Sequence, residues 1–359
     1  MNAMTDPSIK ILISYFKTAP LFDSDVLCPI EAGRSCRGTS TLKDGILDAS
    51  DAAWLQQHLI GDDTGDNLSA LNREINEWSV IYWAGRNYAT TVGSPDYIGL
   101  MHYSRLLDLG GILQSGQDTR RCLTCEEALG LDAASLQALL PSYDLITSQG
   151  LQLSDLHEHH VPPQPPLPLS ESHHPLLYRQ CRRYQETRRF YPHNLFIMRR
   201  ELFLEYIHEC LPLLVELLQL GPEERMRGLS GWFRQDPVPD RARRRLRRLR
   251  QCHDYYPRFT AYVMELISSY FFTAVMERSP QRVLQVPIFH TMLELRGLQP
   301  AWRVRTRRTL VRLLSAALIS RDLRHRFRDY HSPEAVLLRR RGGDARQLLR
   351  QAALRRRGQ

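Results

Sequence analysis

The chain has 359 residues, of which 43% are hydrophobic and 9% aromatic, and its mean hydropathy is −0.38. These values are typical of a globular protein with one large core or two smaller ones. The longest apolar runs, such as residues 211–220, are too short or too interrupted to span a bilayer. The apolar stretch at residues 9–16 lacks the basic flank of a signal peptide, so we expect a buried strand there and a cytoplasmic protein.

The positive charge is concentrated at the carboxyl end of the chain. Residues 301–359 contain 17 Arg and four acidic residues, a net charge of +13, whereas the whole chain carries +9 and residues 1–300 therefore sum to −4. In residues 301–328 the Arg residues alternate with aliphatic side chains, which predicts an amphipathic basic helix. Nucleic-acid binders set aromatic or polar readers among their basic residues, so this pattern favours an anionic membrane surface, and we expect no nucleic-acid partner.

The cysteine pattern argues against both a disulfide framework and a zinc site. Seven cysteines, an odd number, are scattered through the chain, as is typical of reduced thiols. Cys122 and Cys125 form a C-x-x-C motif, but a structural zinc site would need a second pair of ligands at matched spacing.

Strand-like and helix-like segments alternate along residues 1–300. Taken in order, the patterns predict strands at 9–16, 96–105 and 143–149, helices at 50–58, 71–88, 126–140 and 259–276, and a strand-like start at 193 that leads into a long helix interrupted near Pro212. This alternation predicts an α/β domain with a mainly parallel sheet flanked by helices over residues 1–300. Prolines and histidines at 150–175 predict a surface loop or lid, and 301–359 would form an Arg-rich helical tail.

The acidic loop at residues 61–67, "GDDTGDN", allows two interpretations. Its Asp and Asn side chains could cap the helix that follows, or they could bind a ligand, because loops on α/β scaffolds often carry sites. An EF-hand calcium loop is excluded, since Arg73 stands where the glutamate ligand would be required.

The predicted strand at 96–105 ends in polar side chains. In open parallel sheets, ligands bind outside the carboxyl ends of the strands. His102, Tyr103 and Arg105 would lie at such an end, where the Arg could bind a phosphate oxygen and the other two could donate hydrogen bonds. The alternative is a buried His–Tyr pair that stabilises the edge of the sheet.

Several of these segments together resemble one bacterial family. The segments "IKILISYFKTAP…CPIEAGR", "IGDDTGDNLS", "EWSVIYWAGRN", "DYIGLMHYSR", "YDLITSQ" and "HNLFIMRRELFLEY" occur in the order and at roughly the spacing of the capsular and O-antigen polysaccharide-synthesis family long catalogued as a domain of unknown function. The resemblance covers about residues 9–280. Ser104 departs from it, because the family usually has a second Arg at this position.

The resemblance implies a GT-A-like glycosyltransferase. The expected reaction moves a sugar, with galactofuranose as one candidate, from a UDP-sugar to a lipid-linked glycan acceptor in capsule, O-antigen or exopolysaccharide synthesis. Such an enzyme would be peripheral on the inner membrane, docked through the 301–359 tail. Two alternatives are a basic nucleic-acid-binding protein and an inactive glycosyltransferase-like scaffold that lost activity with Ser104.

The resemblance also implies where the donor would bind. GT-A enzymes commonly use an Asp-x-Asp metal site at a strand end, whereas this chain has His102 to Arg105, so we expect a metal-independent site in which Arg neutralises the diphosphate. The predicted donor-binding residues are Tyr15, Gly65, Asp66, Asn67, Glu77, His102, Tyr103, Arg105 and Asn194. A divalent cation at Asp62, Asp63 and Asp66 is the alternative.

The catalytic base is predicted from the burial of a carboxylate. Glu265 lies inside an apolar helical segment, where a carboxylate needs a specific role or partner. It would accept the acceptor's proton. The alternatives are a structural ion pair with an Arg for Glu265, and Asp144 as the base, although Asp144 could equally be a structural cap at the start of a strand.

Overall fold

The structure is a computed structural model, and it describes residues 6–36, 49–111, 126–152, 169–187, 189–221, 224–225 and 258–291. All of these belong to one compact unit, which is formed by residues 1–236 and 255–295. The segments 237–254 and 296–359 are assigned to a second unit and lie outside the described residues. The predicted tail, the C-x-x-C motif and residues 153–168 of the predicted lid also lie outside them.

The unit is built on a seven-stranded sheet. Its strands are β1 (Ile9–Tyr15), β2 (Leu27–Glu31), β3 (Ile60–Gly61), β4 (Tyr97–His102), β6 (Leu145–Ser148), β9 (Phe196–Arg199) and β10 (Val283–Val286). Their spatial order is β10-β6-β9-β4-β1-β2-β3. Strand β9 is antiparallel to both of its neighbours, and the other neighbouring pairs are parallel. The predicted α/β fold with a mainly parallel sheet is therefore confirmed.

Two short antiparallel pairs stand beside the main sheet. They join β5 (Leu106–Leu107) to β11 (Ile288–Phe289), and β7 (Leu151–Gln152) to β8 (Arg189–Phe190). Strand β7 occupies the first residues of the predicted 150–175 loop, and the chain re-enters the described residues at 169.

Helices cover the sheet. They are α1 (Ala49–His58), α2 (Asn72–Ile75), α3 (Trp78–Arg86), α4 (Glu126–Leu129), α5 (Ala133–Leu139), α6 (Pro175–Thr187), α7 (Arg200–Gln219) and α8 (Phe259–Arg278). The central strands are apolar on both faces, as strands covered on both sides must be. Among the described helices, α8 is long and apolar enough to cross a membrane, but 78% of its apolar window is buried inside the unit, as in a core helix.

Two predicted helices have a different form. The segment predicted as one helix at 71–88 is broken at Asn76, which has φ 48° and ψ −126°, so α2 ends there and α3 starts two residues later. The long helix α7 is not interrupted at Pro212, because buried side chains on both sides of the proline hold one continuous helix against the core.

The connections of the sheet define where a ligand would bind. From β1 the chain moves outward to β2 and β3, and it then crosses to β4 on the other side of β1. The crevice outside the carboxyl ends of β1 and β4 is the switch point of the sheet, where ligands bind in open α/β folds. The antiparallel strand β9 begins at this same edge, because its first residue, Phe196, pairs with Leu100 near the end of β4.

Candidate functional site

Five residues from separate parts of the chain meet at this edge. Glu77 precedes α3, His102 ends β4, Arg105 follows in the turn after β4, His193 precedes β9, and Glu265 lies in α8. Four of the five were predicted as site residues, and the structure brings these four together. Their roles remain predictions.

His102 is a buried, neutral hydrogen-bond donor at the centre of the cluster. Its Nε2 lies 3.2 Å from the carbonyl oxygen of His193 and 3.5 Å from Oε1 of Glu77. Both partners are acceptors, so Nε2 carries the proton. Burial lowers the pKa of His102 and the positive charge of Arg105 lowers it further, whereas Glu77 and the His193 carbonyl oppose this shift.

Glu265 is a carboxyl group that titrates near neutrality. Its Oε1 accepts a hydrogen bond from the backbone N–H of His193 at 2.5 Å, and its side chain is 19% exposed. Burial raises the pKa of Glu265 to about 7, and the nearby Glu77 raises it as well, whereas the His193 N–H and Arg105 act in the opposite direction. A carboxyl group with such a pKa can exchange a proton with a substrate at neutral pH.

The backbone at residues 193–194 makes this arrangement possible. His193 and Asn194 are consecutive non-glycine residues with left-handed backbone angles, φ 72° and φ 51°. Each such residue costs about 1–3 kcal/mol unless the surrounding structure enforces it, and strain of this kind clusters at functional sites. The Oδ1 atom of the buried Asn194 has no hydrogen-bond donor among the described residues, so it is available to a bound molecule.

Arg105 supplies the positive charge of the cluster. A pair of backbone hydrogen bonds between His102 and Arg105, 2.9 and 3.1 Å long, closes the turn that carries it. Within the described part of the chain, its half-buried guanidinium forms no ion pair or hydrogen bond, although it is close enough to His102 and Glu265 to lower the pKa of both. A guanidinium of this kind can bind an oxyanion without first breaking an ion pair.

Tyr15, which ends β1, and Tyr103, which follows β4, pack against each other in the core. Both are buried, and their rings stack with centroids 5.3 Å apart. The Tyr15 hydroxyl donates to the carbonyl of Pro20 and accepts from the N–H of Phe22, both at 2.9 Å. Direct contact between these two side chains and a donor was predicted, and their burial gives it no support.

The acidic loop is organised around the buried carboxylate of Asp62. This carboxylate accepts hydrogen bonds from the N–H groups of Gly33 and Arg34 at 2.8 and 3.2 Å, and from the hydroxyls of Ser69 and Ser79 at 2.5 and 2.6 Å. Four donors satisfy an ionised carboxylate. Asp62 therefore joins the loops after β2 and β3 to α3.

The remaining loop residues are also bonded locally. Gly65, with φ 58°, lets Asn87 approach so closely that an added Cβ would lie 2.1 Å from its Oδ1. Asp66 forms an ion pair with Arg86 at 2.7 Å. The Asn67 side chain donates a hydrogen bond from Nδ2 to the Gly65 carbonyl and accepts one at Oδ1 from the N–H of Ser69. Among the described residues, no hydrogen bond joins Gly65, Asp66 or Asn67 to the His102 cluster, so the predicted contacts of these three residues with a sugar donor gain no support.

The structure also bears on the two alternatives, a metal ion at Asp62, Asp63 and Asp66 and Asp144 as the catalytic base. Among the described residues, no group of three His, Cys, Asp or Glu side chains is placed to hold a metal ion, and the oxygens of Asp62 are already occupied. Asp144 forms ion pairs with Arg199 and Arg282 at 3.1 and 2.7 Å, which lower its pKa. It is therefore a structural carboxylate at the start of β6.

Sequence comparison places the chain in a family. The family model described as "Domain of unknown function (DUF4422)" matches residues 10–220, more than half of the chain. The chain belongs to this family. Among curated proteins, none matches it.

One solved structure is similar to this DUF4422 protein. The apo structure of WbbM, described as a bifunctional glycosyltransferase, has 15% sequence identity and a TM-score of 0.46. The similarity covers 78% of this chain and 45% of that one, so the DUF4422 protein spans less than half of the length of WbbM in that structure.

Sequence patterns did not reveal His193, whose backbone connects the cluster in this DUF4422 protein. Its contribution is made by the peptide N–H and C=O, which have no signature in a side-chain pattern. The only available signal was the dipeptide His193-Asn194 before a strand, since Asn and His are enriched in left-handed conformations.

The role of Asp62 predicts a large loss of stability on truncation. Asp62→Ala leaves two backbone N–H groups and two hydroxyls without their acceptor, so we expect a loss of about 3 kcal/mol or more in the free energy of unfolding. Urea unfolding followed by circular dichroism measures it. The matched control is Asp63→Ala, at a partly exposed neighbour, for which we expect a change within about 0.5 kcal/mol. Equal losses in the two variants would contradict the role of Asp62.

The pKa of Glu265 predicts a pH dependence of stability. An unfolded Glu loses its proton at about pH 4.3, whereas folded Glu265 keeps its proton to about 7. Between these values the folded state binds more protons, so the contribution of Glu265 makes the free energy of unfolding fall as pH rises, and the loss is complete above the folded pKa. Glu265→Gln should flatten this part of the stability profile. An unchanged slope would contradict the raised pKa.

The proximity of Glu77 predicts that it helps to set this pKa. Glu77→Gln removes a negative charge near Glu265, so the pKa of Glu265 should fall. Carboxyl ¹³C NMR of glutamate-labelled protein measures the titration, and the resonance is assigned by its loss in Glu265→Gln. Glu74→Gln, in the neighbouring helix α2 and paired with Arg225 at 2.7 Å, is the control that should leave this titration unchanged.

Proposed function

We propose that this protein is a glycosyltransferase that transfers a sugar from a UDP-sugar to a glycan acceptor. The observation that carries the proposal is the pairing of a proton acceptor with an unpaired cation. Glu265, whose pKa is about 7, and Arg105, whose guanidinium has no partner in the described part of the chain, lie together at the switch point of an open α/β sheet. The ordered motifs that resemble polysaccharide-synthesis enzymes support the same assignment.

The proposed chemistry is a displacement at the anomeric carbon. The acceptor hydroxyl forms a bond to that carbon, while the bond from the carbon to the diphosphate oxygen breaks and its electron pair leaves with the diphosphate. Ionised Glu265 takes the proton of the attacking hydroxyl. Arg105 stabilises the charge that develops on the leaving diphosphate, a task that a divalent cation performs in other enzymes.

The other members of the cluster position these two groups. The His193 N–H orients the Glu265 carboxyl group. The His102 imidazole donates a hydrogen bond to the carbonyl oxygen of His193 and lies beside Glu77. This hydrogen bond fixes the backbone of His193 in place. The free Oδ1 of Asn194 would accept a hydrogen bond from a hydroxyl of the sugar.

The finer parts of the proposal rest on the resemblance. They are galactofuranose as the transferred sugar, a lipid-linked glycan of capsule, O-antigen or exopolysaccharide synthesis as the acceptor, and a donor site that works without metal. A thermal-shift screen across nucleoside-diphosphate sugars, with and without EDTA, tests donor and metal dependence together. A rise in melting temperature with UDP or a UDP-sugar supports the proposal. A rise with an oligonucleotide alone would instead favour a nucleic-acid-binding protein.

Arg105 provides the sharpest test of donor binding. Arg105→Ala should weaken UDP-sugar binding by about 2–4 kcal/mol, the size of a charge-assisted hydrogen-bond pair, and leave folding intact because the side chain forms no ion pair in the described structure. Isothermal titration calorimetry measures the affinity. Arg86→Ala, which removes a surface partner of Asp66, is the matched control and should bind the donor as the wild type does. Unchanged affinity in folded Arg105→Ala would refute the role.

A second variant tests the neighbouring position. Ser104→Arg restores the second Arg that the resembling family usually has, and it should tighten donor binding if this position faces the phosphates.

We also propose that residues 301–359 bind an anionic membrane surface. Their net charge of +13 supports this, because each basic residue near an anionic surface contributes roughly 1 kcal/mol. The full chain should sediment with anionic but not neutral liposomes, in a salt-sensitive manner, and a chain ending at residue 300 should lose this binding while it retains donor binding. Failure of the full chain to sediment at low salt would contradict the proposal.

A further inference from the structure

We propose that Lys17 is a second binding residue for the phosphate groups of the donor, acting together with Arg105. This inference rests on the proposed function. The ligand chemistry is that of a diphosphate ester, and the contact is electrostatic.

Lys17 and Arg105 follow the two strands that form the switch point. Lys17 lies two residues after the end of β1, and Arg105 lies three residues after the end of β4. The N–H of Tyr103 donates to the carbonyl of Ser14 at 3.2 Å and so fastens one strand end to the other. The two cations are therefore carried by adjacent loops at one edge of the sheet.

Aromatic rings hold the ammonium group of Lys17 near this edge. Its Nζ lies 5.9 Å from the ring centroids of both Phe16 and Tyr103, within the range of a cation–π contact. The Phe16 and Tyr103 rings meet edge to face, with centroids 5.6 Å apart. Tyr103 in turn stacks on Tyr15, and both of these rings are buried, whereas Phe16 is exposed.

Neither cation is neutralised by a carboxylate in the described structure. Lys17 is exposed and forms no ion pair with any described residue, and the same holds for the half-buried Arg105. A diphosphate carries more than one negative charge, so a single guanidinium leaves part of that charge uncompensated. Arg105 would bind oxygens through its planar fork, whereas Lys17 would act as a compact point charge.

The composition of the chain makes this inference testable by labelling. Lysine occurs only at positions 10, 17 and 43. Lys10 lies near the start of β1, five residues before the end of that strand, whereas Lys17 follows its end, so at about 3.3 Å per residue Lys10 is roughly 16 Å from the strand end that carries Lys17. Lys10 is therefore an internal control in the same molecule.

The experiment is reductive methylation of the full chain, with methylation of each lysine quantified by peptide mass spectrometry. Saturating UDP or inorganic pyrophosphate should reduce methylation of Lys17 several-fold and leave Lys10 unchanged. Uridine, which lacks the phosphates, should protect neither lysine. Unchanged methylation of Lys17, whether or not UDP raises the melting temperature of the same sample, would overturn the inference.

Two variants provide an independent measurement. Lys17→Met should bind UDP about ten-fold more weakly and with a smaller salt dependence, as expected for the loss of one phosphate contact, whereas Lys17→Arg should retain most of the affinity. Lys10→Met, the matched control, should bind as the wild type does. Wild-type affinity in Lys17→Met would overturn the inference.

The outcome is separable from that of the proposed function. Protection of Lys17 by UDP in a protein that transfers no sugar would support the binding role of Lys17 and contradict the transferase. If the protein transfers sugar and Lys17→Met binds UDP with wild-type affinity, the proposed transferase function is supported and the binding role of Lys17 is contradicted.

Discussion

The candidate site depends on one residue, His193, whose backbone conformation is unfavourable. His193 donates its N–H to Glu265 in α8, and its carbonyl oxygen accepts from His102 at the end of β4. The left-handed angles at residues 193 and 194 let the chain present both groups within one short turn before β9. If this turn relaxed to ordinary angles, the carboxyl group and the imidazole would lose their common partner, so the strain has a structural purpose here.

Two carboxylates in this protein, the buried Asp62 and the partly buried Glu265, show how environment determines the state of such a group. Asp62 accepts four hydrogen bonds and serves to join loops, and such a carboxylate has little capacity left for another partner. Glu265 accepts one short hydrogen bond from the His193 N–H, and burial raises its pKa to about 7. The acidic residue that stands out in the sequence is thus bonded within the fold, and the isolated glutamate within an apolar helix is the one whose pKa is shifted to about 7.

The sequence predicted those parts of the fold that are governed by local pattern. A run rich in β-branched residues predicted β1, and a short apolar run predicted β4. The polar residues after β4 lie together with Glu77 and Glu265 at one edge of the sheet, as predicted, and their role in ligand binding stays a prediction. The sequence did not predict features that depend on backbone conformation and backbone hydrogen bonds. The break at Asn76 lies within a continuous helical pattern, and the bridging role of His193 involves no side chain. The predicted donor contacts of Gly65, Asp66 and Asn67 stay predictions, because a loop that satisfies its own polar groups uses the same residue types as one that binds a ligand.

The distribution of charge at the carboxyl edge explains why Arg105 forms no ion pair with either of the two described glutamates beside it. The Glu265 carboxyl group already holds a peptide N–H, and Glu77 lies beside the proton of His102, so both acids have donors that do not involve the guanidinium. An anion that binds Arg105 therefore breaks no ion pair with a described residue. The guanidinium is already half-buried, so part of the cost of removing it from water is met by folding. Binding of an anion would also offset the influence of Arg105 on Glu265, and the pKa of this carboxyl group would rise further. Departure of the diphosphate would reverse that change, so proton affinity at Glu265 would follow the occupancy of the anion site.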